Sequence, residues 1–272
     1  MEVETSRYCN RSCDWCPNGH TNARRTQQLM EWAVFTKITA ELGAAGFDGF
    51  FAFHNFSEPL ANPRLNQEIT QVRRDIPHAK PAIYTNGDLF TRSILEQMSR
   101  DGVKYIRVTR YPHRPDVQPT YEVLQRWLTR AKLSDLYPWD FVKVRQGLAA
   151  TWTDDETGMK VEIIRPSIVS YNDRGGTAVV PLPGKVRIAP CRMTATSISI
   201  DYRAEMKMCC NVIPDSAPEH ERYVVGNLAA STLSELWNSS LMGGWRERHG
   251  RADWSMSPAC RTCVQALPET RR

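Results

Sequence analysis

The chain has 272 residues, which is long enough for one large domain or for a domain with an appendage, and for a substantial core. Its apolar fraction of 41% is that of a globular protein, and 35 Lys and Arg against 30 Asp and Glu leave a net charge of +5. This mild charge forms no basic stripe between aromatic residues, so nucleic acid is not an expected partner. The sequence has no signal-peptide pattern and no apolar run that could span a bilayer, so we expect a cytoplasmic protein without membrane association.

Short β-rich runs alternate with segments of helical periodicity, which predicts repeated βα units and a parallel sheet. The predicted strands are residues 1–8, 49–56, 81–86, 103–109, 140–144 and 161–171. Predicted helices start near Met30, at Pro63 behind the N-cap Asn62, after the N-cap Thr91 and before Leu124. About six units fit, so we expect an α/β fold built as an open partial (βα)6 barrel, with functional residues at the carboxyl ends of its strands.

Three cysteines, Cys9, Cys13 and Cys16, form a C-x3-C-x2-C pattern directly after the first predicted strand. Soft thiolates favour an iron–sulfur cluster or zinc over hard cations, and free thiols persist in the cytosol. A structural zinc site normally has four protein ligands, and ferredoxins space their first three cysteines differently. Three thiolates on a cluster of four irons leave one iron open for chemistry. Structural zinc remains the alternative.

This pattern, with the aromatic residue Trp15 just before the third cysteine, resembles that of the radical S-adenosylmethionine (SAM) enzymes. The resemblance implies that Cys9, Cys13 and Cys16 bind a 4Fe-4S cluster, and it places Trp15 beside the cofactor. The open iron would chelate the amino and carboxylate groups of SAM. A flavodoxin- or ferredoxin-type reductant and cleavage of SAM to a 5′-deoxyadenosyl radical are also implied.

The turn after the second predicted strand contains Ser57, Glu58 and Pro59, which resemble a G-E-P variant of the family segment that binds the SAM amino group. A carboxylate suits an ammonium group. Serine replaces the usual glycine at the first position of the segment. A solvated turn is the alternative interpretation.

Two further strand ends carry candidate binding residues. Thr85, Asn86 and Gly87 resemble the T-N-G segments of the family, which implies a place near the SAM ribose, although an ordinary tight turn has the same composition. Arg174 precedes two glycines that permit a close approach of backbone to ligand. It is a candidate to hold the SAM carboxylate or a substrate hydroxyl, and a surface turn is again the alternative.

The other five cysteines all lie in the last third of the chain, at Cys191, Cys209, Cys210, Cys260 and Cys263. Four thiolates can close a 4Fe-4S cluster or hold structural zinc. A predicted hairpin turning at residues 201–204 and a short helix around Leu233 resemble the twitch domain of SPASM-type radical SAM enzymes. That resemblance implies an auxiliary 4Fe-4S cluster on Cys191, Cys209, Cys260 and Cys263, and a division into a barrel at 1–185 and an auxiliary domain at 186–272.

The combined motifs look like those of the twitch-domain enzymes of aminoglycoside and aminocyclitol antibiotic biosynthesis, a group that contains dehydrogenases and epimerases. Cys210 is left over once four thiolates bind the cluster. An epimerase needs a thiol that returns a hydrogen atom to the carbon radical, so we favour an epimerase in which Cys210 is that donor. In the alternative, a dehydrogenase, the radical passes an electron to the auxiliary cluster and a ketone results.

Other assignments stay open at this stage. Cys210 is either a packed hydrophobic residue or the cluster ligand in place of Cys209. Asp88 and Asp173 are candidates to bind the ammonium groups of an aminoglycoside, by position alone. A zinc–thiolate binding module without catalysis is the distant alternative.

Overall fold

The computed structural model describes residues 1–19, 26–112, 119–134, 138–144, 147–167, 172–178 and 187–263. The strands are β1 (Glu2–Val3), β2 (Phe50–Phe53), β3 (Lys80–Thr85), β4 (Tyr105–Thr109), β5 (Asp140–Val144), β6 (Gly147–Thr153), β7 (Lys160–Pro166), β8 (Ser199–Ile200), β9 (Glu205–Lys207) and β10 (Val224–Asn227). The helices are α1 (Trp32–Ala44), α2 (Leu65–Asp75), α3 (Arg92–Arg100), α4 (Tyr121–Arg130), α5 (Met193–Thr196), α6 (Leu233–Trp237) and α7 (Ser240–Gly250).

All ten strands belong to one sheet in the order β10-β9-β8-β1-β2-β3-β4-β7-β6-β5. The six strands from β8 to β7 in this order are parallel, and the outer pairs are antiparallel. The predicted α/β class with a parallel sheet is therefore confirmed. Because the carboxyl ends of the parallel strands meet at one edge, the loops after β1, β2, β3 and β7 are brought together there.

Three elements differ from the sequence prediction. The helix predicted from Pro63 behind Asn62 is α2, which begins at Leu65 behind Arg64. The first strand ends at Val3, because the backbone at Thr5 and Arg7 pairs with residues 28–30 instead of continuing the sheet. The prediction also lacked β6, which forms a hairpin with β5 and runs antiparallel to β7, so regular βα alternation ends after α4. Residues 168–171, the end of the strand predicted at 161–171, and the predicted domain boundary at 185–186 lie outside the described residues.

The helix-facing side of the sheet is apolar. Phe51, Phe53, Ile83 and Val108 are buried in a common core with residues of α1, α2 and α3. Since successive strand residues point to opposite faces, their neighbours line the concave interior of the barrel. Those neighbours are largely polar, and they form part of the site below.

The C-terminal region continues the same sheet and packs on α1. The predicted hairpin at 201–204 is present between β8 and β9, with Ala204 in the left-handed region at φ 64°. Lys37 of α1 donates from Nζ to the carbonyls of Leu228 (2.8 Å) and Ser231 (2.7 Å). Within the described ranges, every helix is too short or too polar to cross a membrane.

Candidate functional site

The cysteine loop after β1 is held against the end of β2. The Cys16 N–H donates to the Cys13 carbonyl and the Gly19 N–H to the Cys16 carbonyl, both at 2.9 Å. A Cβ atom on Gly19 would lie 2.4 Å from the Cys13 carbonyl oxygen, so this turn requires glycine. Asn18 donates from Nδ2 to the Phe56 carbonyl at 2.6 Å. These contacts fix the direction in which the loop leaves the sheet.

The three thiols of the loop lie close enough to influence one another's ionisation. Burial, with a smaller contribution from the neighbouring Cys16, raises the pKa of Cys9 to about 11 and that of Cys13 to about 12. The Cys9 and Cys13 thiols are therefore protonated at neutral pH in the metal-free loop, and binding of iron must release those protons. Three neighbouring soft donors in a half-buried loop fit a cluster that takes three protein ligands. Trp15 is buried in the same loop and packs against Tyr111, with the ring centroids 6.0 Å apart.

Glu58 joins the end of β2 to the end of β3. Its Oε1 accepts hydrogen bonds from Thr85 Oγ1 (2.6 Å) and the Leu60 N–H (3.1 Å), and its Oε2 accepts from the Asn86 N–H (2.8 Å). The side chain is 2% exposed, and burial raises its pKa. A carboxylate offers about four acceptor positions, so one remains after these three hydrogen bonds, and Glu58 acts electrostatically on Cys9. Ser57 is half-buried before it, and Pro59 is buried and starts the next turn.

Asp88 pairs with the cysteine loop, and its role in binding substrate stays a prediction. Its carboxylate accepts from Nε and Nη2 of Arg11, from Arg110 Nη1 (3.2 Å) and from Asn10 Nδ2 (3.3 Å). Asn86 also donates from Nδ2 to Asn10 Oδ1 at 2.7 Å. The turn at Gly87, with φ 74°, thereby clamps the loop.

The barrel interior carries a row of polar side chains that the sequence analysis missed. Tyr84, Arg107 and Glu162 lie at one register level on β3, β4 and β7. Arg107 Nη2 lies 2.9 Å from Glu162 Oε2, and the His54 ring stacks on Tyr84 at 4.5 Å. Burial lowers the pKa of His54, which keeps its imidazole neutral at neutral pH. Part of this signal was available in the sequence: Arg107 and Glu162 each stand between two apolar strand residues, and alternation turns them to the interior.

Glu2 and Glu4 of the first strand region add two carboxylates to this interior. Glu2 Oε1 lies 3.9 Å from His54 Nε2, and Glu4 is fully buried and accepts the Phe56 N–H at 2.8 Å. They were also missed, because a single strand of two residues gives no periodic pattern. These two carboxylates make the side of the interior near His54 acidic.

Arg174 and Cys210 close the interior from the C-terminal side. The Arg174 guanidinium lies over the Phe56 ring at 5.8 Å, and its Nη1 donates to Asn211 Oδ1 at 2.7 Å. The Cys210 thiol is buried, and both the Glu2 carboxylate and the Arg174 guanidinium act electrostatically on it. Arg174 has φ 54°, so its backbone adopts the left-handed form that permits the turn. Both residues thus face the space where the sequence analysis placed the substrate.

The remaining four C-terminal cysteines line a separate cavity. Its empty volume is about 310 Å³, part of which is open to solvent. The thiols that line it belong to Cys191, Cys209, Cys260 and Cys263. Cys209 therefore faces this cavity while its neighbour Cys210 faces the barrel. The two residues lie beyond the end of β9, in the turn in which the Val212 N–H donates to the Cys209 carbonyl at 3.4 Å. Burial raises the pKa of Cys191, and raises that of Cys260 to about 12.

The donor set fits an iron–sulfur cluster better than a single zinc ion. Among the described residues, no group of three or more His, Cys, Asp or Glu side chains is arranged to hold one metal ion. Zinc would draw four thiolates to about 2.3 Å from one point, whereas a cluster spreads them around a larger body. Asp173, whose role in binding substrate stays a prediction, accepts hydrogen bonds from the Gly175 N–H (3.1 Å) and from Thr262 Oγ1 (2.7 Å). It fastens the loop after β7 to the segment between the last two cysteines.

Comparisons with known proteins agree with this arrangement. Residues 191–264 match the family model of the SPASM iron–sulfur cluster-binding domain. The S-adenosyl-L-methionine-dependent 2-deoxy-scyllo-inosamine dehydrogenase of Niallia circulans is 25% identical over 271 residues, which are 99% of this chain and 94% of that protein.

Solved structures have the same fold. BtrN in complex with AdoMet and 2-DOIA has a TM-score of 0.74 at 21% identity, covering 100% of this chain and 94% of that one. Native anSMEcpe with bound AdoMet has a TM-score of 0.54 at 14% identity, covering 90% and 81%. The predicted resemblance to radical SAM enzymes with a twitch/SPASM domain is confirmed.

Proposed function

We propose that this chain, a radical SAM enzyme with a SPASM-type C-terminal region, is a dehydrogenase that oxidises a ring hydroxyl of an aminocyclitol or aminoglycoside to a ketone. The observation that carries the proposal is a direct link between the barrel interior and the four-cysteine cavity. Arg174 Nη1 donates to Asn211 Oδ1 (2.7 Å), and Asn211 Nδ2 lies 3.9 Å from Cys263 Sγ. Only the Asn211 side chain separates Arg174, at the interior, from Cys263 at the four-cysteine cavity. An electron that leaves a substrate in the interior would therefore have a nearby acceptor site in that cavity.

The chain would hold two clusters and SAM in the sites described above. Cys9, Cys13 and Cys16 would bind the SAM cluster; Cys191, Cys209, Cys260 and Cys263 would bind the auxiliary cluster. Glu58 would use its remaining acceptor position for the SAM ammonium, and the turns at Ser57–Pro59 and Thr85–Gly87 would line the cofactor. When bound, these groups supply a deoxyadenosyl radical that takes one carbinol hydrogen and an auxiliary cluster that accepts one electron.

The interior residues would bind the substrate and remove the hydroxyl proton. Glu2 and Glu4 are the carboxylates placed to bind an ammonium group, in the role first assigned to Asp88 and Asp173. His54 is suited to accept the proton, because burial keeps its imidazole neutral. Arg174 would hold the hydroxyl oxygen as negative charge develops on it. One hydrogen atom, one proton and one electron leave the carbinol, which balances its conversion to a ketone.

The whole-length similarity to a protein named as a 2-deoxy-scyllo-inosamine dehydrogenase supports this choice over the epimerase that the sequence analysis favoured. It also supports an aminocyclitol as the substrate class. We further propose a flavodoxin- or ferredoxin-type protein as the reductant of the SAM cluster. The division into a barrel at 1–185 and an auxiliary domain at 186–272 remains a proposal.

An epimerase is the second candidate, and the position of Cys210 favours it. The thiol is buried inside the barrel beside Glu2, within the electrostatic reach of Arg174 and Tyr84. A hydrogen-atom donor has to stand in this space. The carbon radical would then receive a hydrogen atom from Cys210, and no electron would reach the auxiliary cluster.

Anaerobic turnover in D2O separates the two candidates. The reconstituted enzyme is incubated with SAM, dithionite and a panel of aminocyclitols that includes 2-deoxy-scyllo-inosamine, and the product mass is measured. A dehydrogenase gives a product lighter by two hydrogens, and the Cys210→Ala variant still forms it. A product of opposite configuration that gains one deuterium at carbon, and is absent with Cys210→Ala, would refute the dehydrogenase.

A further inference from the structure

Among the described residues, more side-chain N–H donors surround the sulfur of Cys263 than the sulfur of any other cysteine that lines the four-cysteine cavity. Asn172 Nδ2 lies 3.5 Å from its Sγ, Arg187 Nη1 lies 3.7 Å away and Asn211 Nδ2 lies 3.9 Å away. At Cys260, by comparison, the nearest ring nitrogen is His249 Nε2 at 4.0 Å. One edge of the cavity is therefore lined by N–H donors, one of them cationic.

The guanidinium of Arg187 is fixed in this position by its other contacts. Its Nε donates to the Ala189 carbonyl and its Nη2 to the Pro190 carbonyl, both at 2.8 Å. The group also lies 5.5 Å from the ring centroid of Trp254, whose Nε1 donates to the Arg187 carbonyl at 2.8 Å. A side chain held by two carbonyls and an aromatic ring loses little further freedom when it donates to sulfur.

The three donors come from separate parts of the chain. Asn172 and Arg187 flank the segment 173–186, and Asn211 follows the Cys209–Cys210 pair. Asn211 also accepts from Arg174, so the donor set includes the residue that touches the barrel interior. The arrangement around Cys263 is therefore a product of the tertiary fold and not of one local turn.

We propose that Arg187, with Asn172 and Asn211, raises the reduction potential of the auxiliary cluster by hydrogen-bonding the Cys263 thiolate. Reduction adds one negative charge to the cluster, and N–H donors with a fixed positive charge stabilise that reduced form. A higher potential lets the cluster accept the electron that the substrate releases. Arg187 is a positioning residue in this proposal, which rests on the auxiliary cluster of the proposed function.

The test is a redox titration of the reconstituted full-length enzyme, followed by electron paramagnetic resonance. The auxiliary signal is identified as the one that SAM does not change. Arg187→Gln removes the positive charge and shortens the side chain that donates to sulfur. Asn172→Asp keeps the oxygen that accepts from the Arg174 N–H but removes the Nδ2 donor to the Cys263 sulfur. Arg261→Gln is the matched control, because Arg261 stands between Cys260 and Cys263 and is exposed.

At a fixed solution potential, Arg187→Gln is expected to lower the ratio of reduced to oxidised auxiliary cluster about tenfold, which corresponds to about 59 mV for a one-electron couple. Asn172→Asp should lower it in the same direction, and Arg261→Gln should change it far less. Ratios for Arg187→Gln and Asn172→Asp that equal the Arg261→Gln ratio would overturn the proposal. If Arg187→Gln fails to retain iron, Asn172→Asp decides.

Iron content separates this test from a failure of the proposed function. A wild-type protein that binds only one cluster after reconstitution would refute the auxiliary cluster itself. If the wild type binds two clusters and the reduction potential of the auxiliary cluster is unchanged in the Arg187→Gln and Asn172→Asp variants, only the role of Arg187 and its partners is refuted.

Discussion

Replacement of Asp88 by Asn should loosen the cysteine loop. The carboxylate accepts from Arg11 Nε (2.6 Å), Arg110 Nη1 (3.2 Å) and Asn10 Nδ2 (3.3 Å), whereas an amide keeps a single acceptor oxygen. Hydrogen bonds to charged groups contribute about 1.5–3 kcal/mol, and exposed ion pairs only about 0.2–1 kcal/mol. Because the Asp88 side chain is 32% exposed, we expect the Asp88→Asn variant to lose about 1–2 kcal/mol of unfolding free energy.

For a chain of this length, that loss lowers the Tm by about 2–8 °C. The assay is anaerobic thermal unfolding of the reconstituted protein by circular dichroism, together with the iron bound per chain. Glu247→Gln is the matched control, because Glu247 also pairs with an arginine, Arg251, but both side chains are 68% exposed. Its Tm should change by less than about 2 °C.

The arginines give the Asp88 contribution a defined pH dependence. Hydrogen bonding from Arg11 holds the pKa of Asp88 below its usual value. The carboxylate therefore stabilises the fold above the ordinary Asp pKa of about 3.9, and the stabilisation is lost as the pH falls through the lower, folded value. The Tm difference between wild type and Asp88→Asn should accordingly narrow below about pH 4. An Asp88→Asn variant with the Tm and iron content of Glu247→Gln would refute the clamp.

Three further predictions address the proposed roles. Glu58→Gln should raise the Kd for SAM at least about tenfold, because hydrogen bonds to a charged group contribute about 1.5–3 kcal/mol. Equilibrium dialysis measures this Kd, and an unchanged value would exclude Glu58 as the ammonium ligand. Since burial lowers the pKa of His54, kcat/KM should stay on its plateau as the pH falls to about 6.5 and should decline only below that pH. A decline in kcat/KM with its midpoint above about pH 6.5, or the same pH profile in His54→Gln, would exclude His54 as the base. Cys209→Ser should lose the auxiliary cluster and about half of the bound iron, while Cys210→Ser should keep both clusters. If iron analysis shows the reverse, Cys210 and not Cys209 is the ligand of the auxiliary cluster.

The sequence by itself determined the parts of this protein that depend on short spacings. The C-x3-C-x2-C loop, the C-terminal thiols and the Ser57–Pro59 and Thr85–Gly87 turns are local patterns, so their chemistry can be read without a fold. The N-cap at Thr91, which accepts the Ile94 N–H at 3.3 Å, and the hairpin at 201–204 were predicted for the same reason.

Only the tertiary structure decided which side chains share a space. Asp88 looked free in the sequence, but its partners Arg11 and Arg110 come from other strand ends. The interior row of Tyr84, Arg107 and Glu162 exists because three separate strands pair in one register. Cys209 and Cys210 are adjacent and chemically identical in sequence, and their different surroundings follow from the path of the chain between the barrel and the four-cysteine cavity. Contacts between distant segments depend on strand order and packing, which no local spacing specifies.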